Sequence, residues 1–116
     1  CDFIEENFSK RKLFTTFNHP YGSLLNLAAK VVLEEIGYRN VPDSLIPNIS
    51  CDEDYYMPIH HSVAKFFHLS YIDENTKFPV YGNMLTYSEY IAGYVLSRQN
   101  NLPSAHYFTC LAERKK

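Results

Sequence analysis

The chain has 116 residues, of which 46% are hydrophobic and 21% are charged, and its formal net charge is −2. A chain of this length forms one domain or part of one, and its apolar fraction is typical of a globular protein. Basic residues cluster only at positions 10–12 and 114–116, without the continuous basic face that a nucleic-acid-binding protein needs. No apolar run approaches the roughly 20 residues of a membrane-spanning helix, and no stretch has the pattern of a signal peptide.

Aromatic residues are frequent, with ten Tyr, eight Phe and no Trp. Tyr joins an apolar ring to a hydroxyl, so Tyr-rich surfaces suit a pocket or a contact with another domain. A core built from Tyr and Phe explains the composition equally well, and the sequence leaves both interpretations open.

The three cysteines, Cys1, Cys51 and Cys110, are widely spaced and form no CxxC pair, which argues against a disulfide framework and a zinc ribbon. Free thiols in a reducing cytoplasm are the simplest account. A catalytic role for Cys51 or Cys110 is a minor alternative, because it requires a nearby base or a helix N-terminus. The chain starts at Cys1 instead of Met, as expected of a fragment or a processed form.

The first predicted element is a helix over residues 2–8, and a basic connector follows it. Residues 13–17 are apolar or β-branched, which favours a short strand. Pro20 restricts the residue before it to an extended conformation and suits the first turn of a helix. The sequence therefore predicts a strand that turns into a helix around Asn18 and His19.

That helix is predicted over residues 21–36, where apolar residues recur at helical spacing and cover most of the circumference. The stripe includes Leu24, Leu27, Ala28, Val31 and Val32. Gly37 can take a positive φ and is expected to end the helix. We expect this helix to lie at the centre of the core.

Residues 38–57 have no periodic pattern and contain two prolines, with Pro58 directly after them, so they are predicted as a long irregular connection. The acidic cluster at residues 51–54 could bind a hard cation, but it lacks EF-hand spacing, and a solvated turn is the preferred interpretation.

Residues 58–69 are predicted as the next helix, capped by His60 or Ser62. Its expected apolar face consists of Val63, Phe66 and Phe67. His60, His61 and His68 suggest zinc, but their spacing does not bring ligands together on one helix face, so no metal site is expected.

The rest of the chain is predicted as a loop over residues 70–82, an extended stretch at 78–81 and two further helices. Thr86 and Glu89 have the spacing of a capping box, which marks the start of the first helix near residue 86. Its expected stripe consists of Tyr87, Tyr90, Ile91, Tyr94 and Val95. The last helix is predicted over 104–113. The fold class is therefore mostly α, with four or five short helices, long loops and one or two short extended segments.

Three parts of the chain carry a family resemblance. They are the Leu-Phe-Thr-Thr-Phe-Asn-His-Pro run at residues 13–20, the Pro-Ile-His-His-Ser-Val-Ala run at 58–64 and the Leu-Thr-Tyr-Ser-Glu-Tyr-Ile run at 85–91. In this order they resemble the C-terminal part of the WcbI-like polysaccharide (capsule) biosynthesis acetyltransferases. The resemblance implies a larger α/β fold related to the SGNH hydrolases. It also implies a bacterial, cytoplasmic protein that binds coenzyme A or acetyl-coenzyme A and acylates a sugar or polysaccharide acceptor.

The family's N-terminal half, which contains a Gly-Asn-Cys-Gln motif, does not occur in this chain. The resemblance therefore implies that the N-terminal half of the same polypeptide is a partner, and that this chain alone is inactive. His19 is the candidate catalytic residue, because imidazole suits proton transfer near neutral pH. Asn18 is a candidate oxyanion or cofactor contact, and Lys10, Arg11 and Lys12 are candidate contacts to the cofactor's phosphates. In the competing interpretation, Asn18 and His19 only cap the turn, and the three cations lie in a solvated connector.

Two functions of different class follow from the sequence. The first is the C-terminal portion of a coenzyme A-dependent acyltransferase. The second is a non-catalytic helical module that binds another domain or protein through Tyr-rich faces.

Overall fold

The structure, a computed structural model, describes residues 2–16, 18–46 and 54–115. Its elements are α1 (Asp2–Asn7), α2 (Gly22–Glu35), a single 3-10 turn (Asp43–Leu45), α3 (His61–Phe66), β1 (Phe78–Val80), β2 (Asn83–Leu85), α4 (Tyr87–Gln99) and α5 (Ser104–Glu113). The prediction of a mostly helical chain with short extended segments is confirmed. None of the described helices is both long enough and apolar enough to cross a bilayer.

A β-hairpin lies at the centre of the hydrophobic core. Strands β1 and β2 pair antiparallel, with Phe78 opposite Leu85 and Val80 opposite Asn83. The two residues between the strands, Tyr81 and Gly82, have φ angles of 47° and 78°. Two consecutive positive φ values are what a type I′ turn requires, and this turn matches the natural twist of a two-residue hairpin. The sequence predicted the extended stretch at 78–81 but missed its partner strand.

The hydrophobic core forms around this hairpin, where α4 and α5 pack against each other and against β2. Its buried members are Tyr56, Ala64, Ile72, Phe78, Val80, Leu85 and Phe108. Further tyrosines are partly buried against this cluster, namely Tyr55, Tyr71, Tyr81, Tyr90 and Tyr107. Most tyrosines of the described chain therefore contribute to the core, as the second interpretation of the composition proposed.

Helix α4 buries only part of the predicted stripe, because Tyr90 packs against the core and most of the other members do not. Its buried residues are Gly93 and Ser97, whereas Ile91, Tyr94 and Val95 are 38%, 41% and 47% exposed. A Cβ atom on Gly93 would lie 2.5 Å from Cε1 of Phe108, so the two helices touch at a position that only glycine can occupy. Small residues allow the two helices to approach this closely, and a pattern of hydrophobic residues does not predict such a contact.

The prediction that α2 is the central core helix is wrong. Gly22 is its only buried residue, and Val31 and Val32 are 50% and 58% exposed. The chain is also less compact than usual, because its radius of gyration is 17.4 Å, whereas a compact chain of this length has about 13 Å. The ends of α2 agree with the prediction, since Gly37 follows it with φ of 97°.

Helix α3 is shorter than the predicted 58–69 segment, and it also turns a different face inward. Ala64 is its buried residue, while Val63, Phe66 and Phe67 are exposed. Of the two predicted caps, His60 and Ser62, the cap is His60, because its Nδ1 accepts a hydrogen bond from the Ser62 N–H at 3.1 Å. Of the acidic cluster at 51–54, only Asp54 belongs to the described residues.

Candidate functional site

The segment that precedes α2 folds back on itself. Phe14 and Pro20 form an antiparallel bridge. The Thr15 N–H donates to the His19 carbonyl at 2.9 Å, and the Tyr21 N–H donates to the Leu13 carbonyl at 2.7 Å. The extended residues at 13–16 therefore pair with the chain that leads into α2, in a tight loop instead of a regular strand. Phe17, at the end of the predicted strand, lies outside the described residues.

His19 is exposed in this loop, and Thr16 holds its ring. The distance from Thr16 Oγ1 to His19 Nδ1 is 2.7 Å, and Oγ1 also donates to Asn18 Oδ1 at 3.1 Å. A hydroxyl has one proton, so when Thr16 donates to Asn18 it accepts from the Nδ1–H of His19. In the neutral ring this arrangement leaves the lone pair on Nε2, as a general base requires.

Neither Asn18 nor His19 caps helix α2. Tyr21 is the N-cap residue and gives no capping hydrogen bond from its side chain, while its carbonyl accepts from the N–H groups of Leu24 and Leu25. The two polar side chains instead stabilise the loop through Thr16. Because Asn18 turns its Oδ1 towards Thr16, its Nδ2 remains the group that can donate to a ligand.

An apolar cavity of about 330 Å³ lies beside this loop, between the N-terminal segment and α3. Its walls include the side chains of Leu13, Tyr56, Val63 and Phe67, and Thr16 belongs to the same wall. The ring of His19 is therefore one hydrogen bond away from a residue that faces the cavity. A volume of this size lies at the lower end of the range for small-molecule pockets.

Two tyrosines, Tyr56 and Tyr71, belong to the cavity wall. Burial raises the pKa of Tyr56, and the neighbouring hydroxyl of Tyr71 raises it further. Burial also raises the pKa of Tyr71, while the hydrogen bond from Tyr56 acts in the opposite direction. Both hydroxyls are therefore harder to ionise than that of a free tyrosine, and they bond to each other.

The three predicted cations have different surroundings. Lys10 is exposed, and the guanidinium of Arg11 lies over the ring of Phe3 at 5.0 Å. The ammonium of Lys12 lies 4.5 Å from the ring of Tyr21 and 4.2 Å from the ring of Tyr56. The structure thus places Lys12 next to a cavity residue, whereas Arg11 is directed to α1.

Sequence reasoning assigned no role to Thr16, although its hydroxyl contacts both candidate polar residues. The spacing of Thr16 and His19 could have indicated this contact, since a Thr three residues before a His faces it across a tight turn. Of the three histidines considered for zinc, His60 serves as a helix cap, because its Nδ1 accepts from the Ser62 N–H. No group of three or more possible metal ligands occurs among the described residues.

Comparisons with known proteins found no matching family model, no matching curated protein and no matching solved structure. The resemblance to the capsule acetyltransferases therefore remains an expectation from the sequence.

Proposed function

We propose that this chain is the C-terminal portion of a coenzyme A-dependent acyltransferase of bacterial capsule or exopolysaccharide biosynthesis, with His19 as its general base. The proposal comes from the sequence resemblance. One structural observation supports it: the imidazole of His19 is exposed and bonded to Thr16, which lines an apolar cavity.

In the proposed acyl transfer, each polar group of the site has a defined role. Nε2 of His19 takes the proton from the acceptor hydroxyl as its oxygen attacks the thioester carbonyl. Acetyl-coenzyme A would supply the acyl group through its thioester, and the imidazolium of His19 would give its proton to the thiolate released when the C–S bond breaks. The Nδ2 group of Asn18 donates to the oxygen that becomes negative in the transition state. Lys10, Arg11 and Lys12 supply positive charge for the phosphates of the cofactor.

Isothermal titration with coenzyme A and acetyl-coenzyme A tests cofactor binding. It is carried out on the chain alone and on the chain joined to the N-terminal half that the resemblance implies. We expect binding by the joined form, and weaker binding after Lys12→Gln. If the joined form binds neither ligand, the proposed function is wrong.

The role of His19 is tested separately by the rate of acyl transfer in the joined form. His19→Ala should reduce the rate about 100-fold or more, because general-base catalysis contributes roughly that much. His61→Ala is the matched control, since His61 is also exposed but lies on α3. Equal rates in both variants would show that His19 is not the base.

The exposed face of α2 favours the second candidate function, a non-catalytic interaction module. The face is formed by Val31, Val32 and Ile36, which are 50%, 58% and 64% exposed. It differs from the Tyr-rich faces that the sequence suggested, because most tyrosines pack on the core. An isolated helix of 14 residues gains most of its stability from packing, so this face suits a partner. Titration with the separately produced N-terminal half distinguishes the two functions: association that Val32→Asp abolishes, without coenzyme A binding, supports the module.

A further inference from the structure

Helix α5 carries a thiol and an imidazole on the same face. His106 and Cys110 are four residues apart, a spacing that brings side chains together on a helix. Sγ of Cys110 lies 3.7 Å from Nε2 of His106. Cys110 is a free, partly buried thiol, and the other two cysteines lie outside the described residues.

The pair faces a cavity of about 400 Å³, at the opposite end of the chain from the one beside His19. The cavity lies between α5 and the loop that follows α4, and its walls include Asn100, Leu102 and Tyr107. Arg114 also lines it, so a nucleophilic sulfur, a proton acceptor and a permanent cation surround one space. Guanidinium groups bind carboxylates with two parallel hydrogen bonds.

We propose that this cavity is a thiol-exchange site in which Cys110 reacts with a small disulfide that carries carboxylate groups. Cys110 is the nucleophile, His106 accepts its proton, and Arg114 binds a carboxylate of the incoming molecule. The proposal is independent of the acyltransferase function, because it involves other residues and another cavity.

The exchange transfers one proton and replaces one S–S bond by another. The Sγ proton of Cys110 passes to Nε2 of His106, and the sulfur attacks one sulfur of the disulfide. A new S–S bond forms, the original S–S bond breaks, and the released thiolate leaves with the electron pair. The imidazolium then protonates this thiolate, so the disulfide itself is the only oxidant. The product is a mixed disulfide on Cys110.

The position of Cys110 makes its neighbours decisive. It lies in the last turn of α5, four residues after His106 and four residues before Arg114, so all three lie on one side of the helix. His106 accepts the proton of the thiol, and Arg114 acts on the incoming molecule by binding its carboxylate. Removing either of them should have a measurable effect on the rate.

The test uses the full chain with Cys1→Ser and Cys51→Ser, so that Cys110 is the only thiol. The rate of its reaction is measured with the dianionic dithiobis(nitrobenzoate) and with neutral dithiodipyridine. At neutral pH we expect Cys110 to react about tenfold faster with the anionic reagent than an unstructured cysteine peptide does. His106→Gln should lower the rate with both reagents at least about fivefold. Arg114→Gln should lower the rate with the anionic reagent alone.

Lys115→Gln is the matched control for charge, because Lys115 is adjacent to Arg114 in sequence but does not line the cavity. Thermal unfolding followed by circular dichroism establishes that each variant is folded. A rate no faster than that of the peptide, or one that His106→Gln leaves unchanged, would overturn the site. An equal effect of Arg114→Gln on both reagents, or an equal effect of Lys115→Gln, would overturn the assignment of an acidic disulfide.

Discussion

Asn83 joins the central hairpin to α5. Its side chain is 3% exposed, and its Nδ2 donates to the carbonyls of Val80 at 3.1 Å and of Phe108 at 2.8 Å. The second bond connects residues 25 positions apart, so one amide closes the turn and also positions the last helix. Buried polar groups are costly unless they are paired, which makes this residue sensitive to substitution.

Asn83→Ala should therefore destabilise the fold by about 1–3 kcal/mol, because the Phe108 carbonyl loses its buried donor. Urea unfolding measures the change. Asn100→Ala is the control, since Asn100 is the exposed C-cap residue of α4 and its Nδ2 donates to the carbonyl of Leu96, four residues earlier. Similar losses in both variants would contradict the role assigned to Asn83.

Gly93 determines how closely α4 and α5 approach. In an exposed helix Gly→Ala stabilises by about 1 kcal/mol through propensity. Here the added Cβ would meet the ring of Phe108 at 2.5 Å. Gly93→Ala should therefore destabilise by about 1–3 kcal/mol, as overpacking typically does. Thermal unfolding measures whether Gly93→Ala lowers or raises the stability, and Ser88→Ala, at an exposed position of α4, is the control. A stabilised Gly93→Ala chain would mean that the two helices are not in contact.

At the scale of elements, the start of α4 depends on a complete capping box. Oγ1 of Thr86 accepts from the Glu89 N–H, and the Glu89 carboxylate accepts from the Thr86 N–H at 2.8 Å. These bonds from Thr86, first through its N–H and then through its hydroxyl, lower the pKa of Glu89 below its ordinary value of 4.5. Both partners lie three residues apart, which is why the sequence was sufficient to predict them.

Thr86→Ala should destabilise the chain by about 1 kcal/mol, the usual effect of losing an N-cap. The depressed pKa of Glu89 means that its contribution is present above its unfolded-state pKa and is lost as the pH falls through the folded-state value. Glu89→Gln should therefore reduce the loss of stability between neutral pH and acid. Urea unfolding at several pH values measures this, and an unchanged pH profile would contradict it.

Helix α2 should tolerate charge on its aliphatic face. Val32→Lys places a solvated ammonium at a position that is 58% exposed, so the free energy of unfolding should change by less than about 0.5 kcal/mol. Leu85→Ala in β2, where the side chain is 6% exposed, should instead cost about 2–5 kcal/mol. Urea unfolding of both variants tests the contrast, and a large loss with Val32→Lys would restore α2 to the core.

At the scale of the whole molecule, the tyrosine-rich core makes stability sensitive to alkali. Burial is the main cause that raises the pKa of Tyr55, Tyr56 and Tyr71 above the ordinary value of 10.0. A raised folded-state pKa contributes stability that is fully present below the unfolded-state pKa and is lost as the pH rises above it. The chain should therefore lose stability progressively above pH 10.

Phenolate absorbance and circular dichroism, recorded together during an alkaline titration, check this prediction. The buried hydroxyls should ionise only as the helical signal disappears, and Tyr55→Phe with Tyr56→Phe should remove part of the transition in absorbance. Ionisation of every tyrosine before any loss of helix would show that the hydroxyls are accessible in the folded chain.

The sequence by itself determined the local features of this protein. The capping box of Thr86 and Glu89, the end of α2 at Gly37 and the cap at His60 were all predicted, as was the mostly helical class. Each depends on hydrogen bonds or backbone angles within a few residues, so the required information lies in one short stretch. The turn that contains Asn18 and His19 was predicted for the same reason, whereas their role stays a prediction.

Tertiary structure alone decided which faces are buried. The sequence placed the aliphatic stripe of α2 in the core, but the hairpin, α4 and α5 form a core that does not need it. The sequence also could not predict three further features: the contact between Gly93 and Phe108, the cavity beside Thr16 and the cavity around Cys110. Each depends on residues that are distant in the chain, or on a helix face whose partner the sequence does not reveal. Burial depends on what lies opposite a side chain, and periodicity describes only the side chain itself.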